Sequence, residues 1–188
     1  AVTGVQTCAL PICLGQPVVI ESQAGASGTI ATLAIARAAP DGYNILFGVP
    51  STITIAQNFV KNPEYNPERD LAPIATVASY FTLLLVNPKI AANTLGEFVA
   101  LAKSNPNKFF YATSGNGHAF HMLTELFSRQ AGIEMEHVPF KGAGPAMTST
   151  VAGVTQFIVS ASGAARAHVQ AGRLRALATL QSARLESF

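Results

Sequence analysis

An α/β fold, a mainly parallel sheet with helices on both faces, follows from three features of this sequence. Short β-branched and aromatic runs alternate with helical patterns along the chain. Turns of glycine and small residues carry several of those runs into the helix that follows. Helix boundaries are explicit, with Thr94 as an N-cap, Pro106 as a stop and Gly132 as a C-terminal glycine. Strands that alternate with helices need crossover connections, which produce parallel neighbours covered on both sides.

"PVVIE" (17–21) reads as a strand that leads through "SQAGASG" to "TIATLAIARAA", whose alanines and leucine favour a helix that "PDG" ends. "YNILFG" reads as a buried strand, "VPST" as a turn and "ITIAQNFV" as a short helix. "KNPEYNPERDLAP" is a proline-rich surface connection, and "IATVASYFTLLLVNP" is a long apolar strand. "TLGEFVALAKSNP" is a helix begun at Thr94 and finished before Pro106.

The second half repeats one pattern three times. "KFFYATSGNG" is strand and turn, followed by the helix "HAFHMLTELFSRQA". "EMEHVPFKGAG" is strand and turn, followed by "PAMTSTVAG", with Pro145 at the favoured first helical position. "TQFIVSASG" leads into "AARAHVQAG", and "RLRALATL" is a further strand.

The chain has 188 residues, 49% of them apolar, enough for one large domain or two small ones with a real core. Charged residues make up 12% and the formal net charge is +2, which offers no basic surface for a nucleic-acid backbone or an anionic membrane. The strongest apolar run, "YFTLLLV", is far shorter than the ~20 residues of a spanning helix. Cys8 and Cys13 both lie in the first thirteen residues, where "VTGVQTCALPI" resembles a translated sequencing-library adapter. Residues 1–13 are therefore expected to be non-native and the true start, with any secretion signal, to be lost. Without cysteines beyond them, any redox compartment is permitted.

In such sheets the strand-to-helix turns gather at one edge, where ligands bind. Four turns qualify: "GVPST", "TSGNGH", "KGAGPA" and "SASGAA". Each combines glycine with small residues ahead of a helix, so amide groups and the positive dipole end point outward together, a setting for an anion. Small residues also simply make tight turns, and it is the recurrence that favours a site.

Competing chemistries lack their residues. A phosphate loop needs lysine and a hydroxyl after its last glycine, yet His118 and Ala119 follow Gly117. "GAGPAM" lacks the third glycine of a dinucleotide fingerprint. A nucleophile elbow needs glycine two positions before serine, where Ser162 has Ser160 and Ser114 has Ala112. His118 and His121 share roughly one helix face without the third ligand a zinc site requires, so neither metal nor cofactor is expected. Near a helix start an imidazole stays neutral and suits a hydrogen bond to a ligand or a neighbouring loop, although each histidine reads equally as packed or solvent-facing. Lys141 is the cation beside a candidate turn, or an ordinary solvated loop lysine. A helix terminus is worth up to ~2 kcal/mol to an anion and a charge-assisted hydrogen bond about 1.5 to 3 kcal/mol, so several together reach roughly micromolar affinity.

Beyond these local features, "GQPVVIE", "AGASGTIATLAIARAAPDGYNILFG", "YNPERDLAPIATVAS", "NPKIAANTLGEFVALAKSNPNKFFYATSGNGHAFHM", "HVPFKGAGPAMTSTVAG" and "AGRLRALATL" occur in order. From Leu14 to the end the chain resembles the substrate-binding proteins of tripartite tricarboxylate transporters, the Bug or TctC-like family. The resemblance implies a type II periplasmic-binding-protein-like fold, with two α/β domains closing around a small carboxylate. Residues 14–77 would form part of the first domain and 78–188 the second, hinged near Ala75 to Ser79. Ligand-binding positions carried over are Pro50, Ser51 and Thr52 in the first domain, and Ser114, Gly115, Gly117, Lys141, Gly142, Ser160, Ala161 and Ser162 in the second. His121 matches a histidine often found after the glycine turn. His118 stands where the family commonly has serine or threonine, and "SQAGASG" replaces the usual Asn-Arg-Pro approach. The family's pattern starts before "GQP" and runs past Phe188, so one wall of the pocket is expected to lie outside this chain.

The expected function is a non-catalytic, periplasmic receptor that delivers a carboxylate to membrane permease subunits. An effector-binding domain of a transcription regulator shares the architecture. A hydrolase using Ser114 with His118 or His121 is the third reading.

Overall fold

The computed structural model describes Gly15, residues 17–23, 28–55 and 64–181. The segment 1–13, most of the turn at 24–27 and the second half of the helix expected over 53–60 lie outside the described residues. Helix α1 spans Thr29–Ala36 after Gly28, a left-handed residue at φ 94°. A π-helical turn follows at Ser51–Ile55, and α2 is the single turn Pro67–Asp70, capped by the Asn66 side chain and opened by Pro67.

Neither 17–21 nor 43–48 forms a strand, which corrects the reading from composition. A strand needs a hydrogen-bonded neighbour, and among the described residues these runs have none. Tyr43, from the run read as a buried strand, is 90% exposed, and Val19 is 84% exposed. The long apolar run also contracts, because only Thr82–Val86 pairs as β1 while 71–81 approaches it without a ladder.

The remaining elements follow in strict alternation: α3 (Leu95–Lys103), β2 (Phe110–Thr113), α4 (Ala119–Ala131), β3 (Glu136–Pro139), α5 (Ala143–Ala152), β4 (Phe157–Ala161), α6 (Ser162–Gln170) and β5 (Arg175–Thr179). Thr94 caps α3 by accepting the Glu97 amide at 3.2 Å, while Glu97 accepts the Asn93 amide at 2.7 Å. Gly132 ends α4 in the left-handed conformation. Helix α5 begins at Ala143, so Pro145 is its third residue rather than its first, a position whose missing N–H still costs no intrahelical bond.

One five-stranded sheet runs in the order β3-β2-β4-β1-β5. Strand β2 is parallel to β3 and β4, whereas β1 is antiparallel to both β4 and β5. Four strands thus share a direction and β1 runs against them. Alternate residues of β1 face opposite layers. Leu84 and Val86 join Tyr111, Phe157 and Val159 beneath Phe98 and Ala102 of α3 and Phe127 of α4. Leu83 and Leu85 join Ala112 and Ile158 against Ala146 and Met147 of α5 and Ala165 of α6. Phe157 anchors the first layer, stacked on Phe98 at 5.1 Å and on Phe127 at 5.7 Å.

Candidate functional site

Because β2, β3 and β4 run in parallel, their carboxyl ends and the starts of α4, α5 and α6 share one edge of the sheet. The register aligns Thr113 with Pro139 and Ala112 with Ile158. The Phe140 amide donates to the Thr113 carbonyl at 2.9 Å, which carries the pairing into the turns. Since β1 runs the other way, its entrance reaches the same edge: Thr82 pairs with Ala161, and the Ser162 amide donates to the Phe81 carbonyl at 2.7 Å. Three glycine turns and the connecting segment therefore converge.

Within the "TSGNGH" turn the amides have different fates. The Gly115 amide donates to Thr113 Oγ1 at 3.3 Å, and the Gly117 amide to His121 Nδ1 at 3.2 Å. Gly115 and Gly117 hold φ at 141° and 72°, conformations that glycine adopts freely. The Ser114 hydroxyl is buried and has no hydrogen-bond partner among the described residues. His118 is the N-cap of α4, its Nδ1 accepting the Phe120 amide at 3.3 Å. Burial pushes its imidazole below the ordinary value, which keeps it neutral and able to accept.

After β3, Gly142 is the N-cap of α5, at φ 113° with no capping side chain. Among the described residues the amides of Lys141, Gly142, Ala143 and Gly144 make no hydrogen bond, and they crown a ten-residue helix. Ser160 is buried in β4 opposite Leu83, Ala161 ends that strand, and Ser162 opens α6 with its amide already engaged. The structure thus brings the eight expected positions from Ser114 to Ser162, together with His118 and His121, to one edge. Thr52 belongs to a different local cluster. Its Oγ1 donates to the Val49 carbonyl at 3.0 Å, its carbonyl accepts the Tyr65 hydroxyl at 2.6 Å, and its methyl lies against Gly28. Pro50 precedes the π-helical turn that holds Thr52, and Ser51 opens it.

Several residues at the site were not singled out by the sequence. His137 stacks on His121 at a centroid distance of 4.0 Å and on Tyr111 at 4.9 Å, and its Nε2 lies 2.5 Å from Thr113 Oγ1. Burial and the adjacent His121 ring push His137 down to about 4, against a smaller opposing pull from Glu125. Burial likewise lowers His121, partly offset by Glu125. The Tyr111 hydroxyl donates to Glu125, and burial raises its pKa, so it stays a neutral donor. Tyr80 meets the ring of Phe120, whose centroid in turn lies 5.2 Å from that of His118. The register of β2 on β3 and the i,i+4 spacings 117/121 and 121/125 were the available signals.

A Ser/His hydrolase is overturned by this geometry. The Ser114 hydroxyl touches no base, and the Nδ1 atoms of His118 and His121 are spent on backbone amides. No group of three or more metal-ligating side chains assembles among the described residues. An open depression of about 310 Å³ lies at the other end of α4, lined by Asn107, Ser128, Arg129, Glu134 and Met135 among others.

The sequence profile of the tripartite tricarboxylate transporter family receptor (TctC) matches residues 5–188. The chain belongs to this family. The match begins inside the 1–13 segment. BugT of Bordetella pertussis strain Tohama I is 35% identical over 176 residues, 93% of this chain and 54% of that protein. Rpa4515 of Rhodopseudomonas palustris, solved with adipate, superposes with a TM-score of 0.90 at 28% identity, covering 96% of this chain and 60% of its own. MatC (Rpa3494) from Rhodopseudomonas palustris, solved with bound malate, gives a TM-score of 0.87 at 29% identity, covering 96% and 61%. The chain spans about half the length of the BugT relative and about three fifths of those solved chains. The family is one of transporter receptors, which supports neither a hydrolase nor a transcription regulator, and among the described residues no helix is long and apolar enough to cross a membrane.

Proposed function

We propose that the protein acts as the extracytoplasmic receptor of a tripartite carboxylate transporter, capturing a small mono-, di- or tricarboxylate in the periplasm and passing it to membrane permease subunits. The observation that carries this reading is the partnerless Ser114 hydroxyl at the end of β2, beside the unused amides that begin α5. A buried hydroxyl without a partner costs about 1 to 3 kcal/mol, a penalty a ligand oxygen removes. Backbone N–H groups at the start of a helix stabilise the same negative charge without a counter-cation.

In this reading Ser114, Lys141 and Gly142 donate to one carboxylate group. Gly115, Gly117, His118 and His121 shape the turn that presents Ser114, and Ser160, Ala161 and Ser162 form the neighbouring wall. Residues 14–77 belong to a first domain that brings Pro50, Ser51 and Thr52 over the ligand by bending near Ala75 to Ser79, and 78–188 form the second. Adipate and malate in the two related structures fit a site of this chemistry. Isothermal calorimetry with malate, adipate, citrate and acetate tests it: saturable binding of at least one at roughly micromolar affinity is expected. Heats no greater than those of glucose across the whole set would reject it.

A further inference from the structure

Both glycine amides that flank Asn116 end on a pair of stacked imidazoles, one directly and one through Thr113. We infer that His121, backed by His137, is a positioning residue for the ligand turn: as a neutral acceptor for the Gly117 amide it holds Ser114 in place, and protonation of the pair releases the turn. This rests on the receptor reading for its effect on ligand, though not for its effect on the turn.

Since Nδ1 of His121 accepts the Gly117 amide at 3.2 Å, the proton of its neutral form sits on Nε2. A second proton could go only to Nδ1, which would then face an N–H as a donor and lose the bond. The neighbouring ring adds to this. His121 and His137 overlap at 4.0 Å with their planes 12° apart, so two cations there would repel at contact distance. His137 is fixed in turn by Tyr111, its partner in the β2–β3 register, and by Thr113 Oγ1, which also receives the Gly115 amide. Loosening either ring therefore reaches both ends of the turn.

The charged and titratable groups around the pair come from three elements. Helix α4 contributes Glu125, whose carboxylate accepts the Tyr111 hydroxyl and lies 3.9 Å from His121 Nε2. Strand β2 contributes the Tyr111 phenol, and β3 contributes His137 itself. His118 turns its ring to the Phe120 amide instead. Glu125 favours protonation of both rings, but burial outweighs it and keeps them neutral around pH 7. The turn is then held at neutral pH and released as the medium becomes acidic.

Amide NMR of the chain between pH 4 and pH 8 is the test. The Gly117 and Gly115 resonances should move together, with an inflection below the ordinary imidazole value. In His121→Asn, whose side-chain oxygen can accept the same bond without titrating, the Gly117 amide should become insensitive to pH. A Gly117 resonance that ignores pH in the native chain, or that titrates unchanged in His121→Asn, overturns the inference, and the native chain alone decides if the variant fails to fold. Calorimetry with malate at pH 7.5 and pH 5 adds the ligand arm. The native chain should lose about tenfold more affinity than His121→Asn, which carries the ligand's own titration, and equal losses would overturn the coupling. No binding of malate, adipate, citrate or acetate at either pH, with a titrating Gly117 amide, would reject the receptor reading and support the positioning of the turn.

Discussion

The ring of Tyr80 meets the ring of Phe120 edge to face, with centroids 6.2 Å apart and planes at 78°. Tyr80 lies next to last in the connecting segment and Phe120 in the first turn of α4, so the contact ties the entrance of β1 to the helix that follows the glycine turn. Such pairs contribute about 0.5–1.5 kcal/mol beyond burial. Tyr80→Ala should lower unfolding stability by that order in a urea titration, and Tyr80→Phe should leave it unchanged.

A second prediction concerns the joint between β1 and α5. The buried Asn87 side chain donates to the Thr150 carbonyl at 2.8 Å and the Val151 carbonyl at 3.1 Å, and its Oδ1 accepts the Lys89 amide at 3.0 Å. Asn87→Ala removes the donor of the Val151 carbonyl, while the Thr150 carbonyl keeps the Gly153 amide at 3.1 Å, a cost of about 1–3 kcal/mol. Asn87→Asp should be at least as damaging, because a carboxylate faces those carbonyls with no proton to give. Urea midpoints of the two variants check the claim.

Stability should also depend on pH through His137. Folded, its imidazole is held down at about 4, whereas unfolded it returns to the ordinary 6.5. Between those values the unfolded chain binds a proton that the folded chain does not, so stability is full above 6.5 and declines as pH falls toward 4. His137→Gln, which retains a polar atom near Thr113 and removes the titration, should flatten that decline in urea midpoints taken from pH 7.5 to pH 4.5. Parallel profiles for the two proteins would count against a buried neutral His137.

Ser114 separates stability from function. Its hydroxyl has no partner among the described residues, so Ser114→Ala should cost nothing in stability and can gain slightly. The same change removes a donor to the ligand, and about a tenfold loss of carboxylate affinity by calorimetry is expected, corresponding to about 1.4 kcal/mol. A large stability loss with intact affinity would assign the hydroxyl a structural role.

Much of the second half was legible because its punctuation is local. Thr94, Gly132 and the apolar core of β1 act over a few residues, and the chain writes them explicitly. The direction of β1 was not legible, since a continuous apolar run looks the same whichever way it pairs. Segments 17–21 and 43–48 misled for a related reason: β-propensity describes a half-buried pleated surface, and without a neighbouring strand it produces none. At the site, glycine marked the turns correctly, yet it could not reveal which amides remain free. Those of Gly115 and Gly117 are consumed by Thr113 and His121, and the partner of the first, His137, arrives through the register of β3. Among the described residues those of Lys141 and Gly142 meet no acceptor.

Mapping a carboxylate onto the backbone amides tests the central claim most directly. Titrating malate into the ¹⁵N-labelled chain at pH 7.5 should shift Ser114, Lys141, Gly142, Ala143 and Gly144 together, saturating along one isotherm. Saturation without movement at these five amides, or shifts confined to the depression near Arg129 and Glu134, would contradict it.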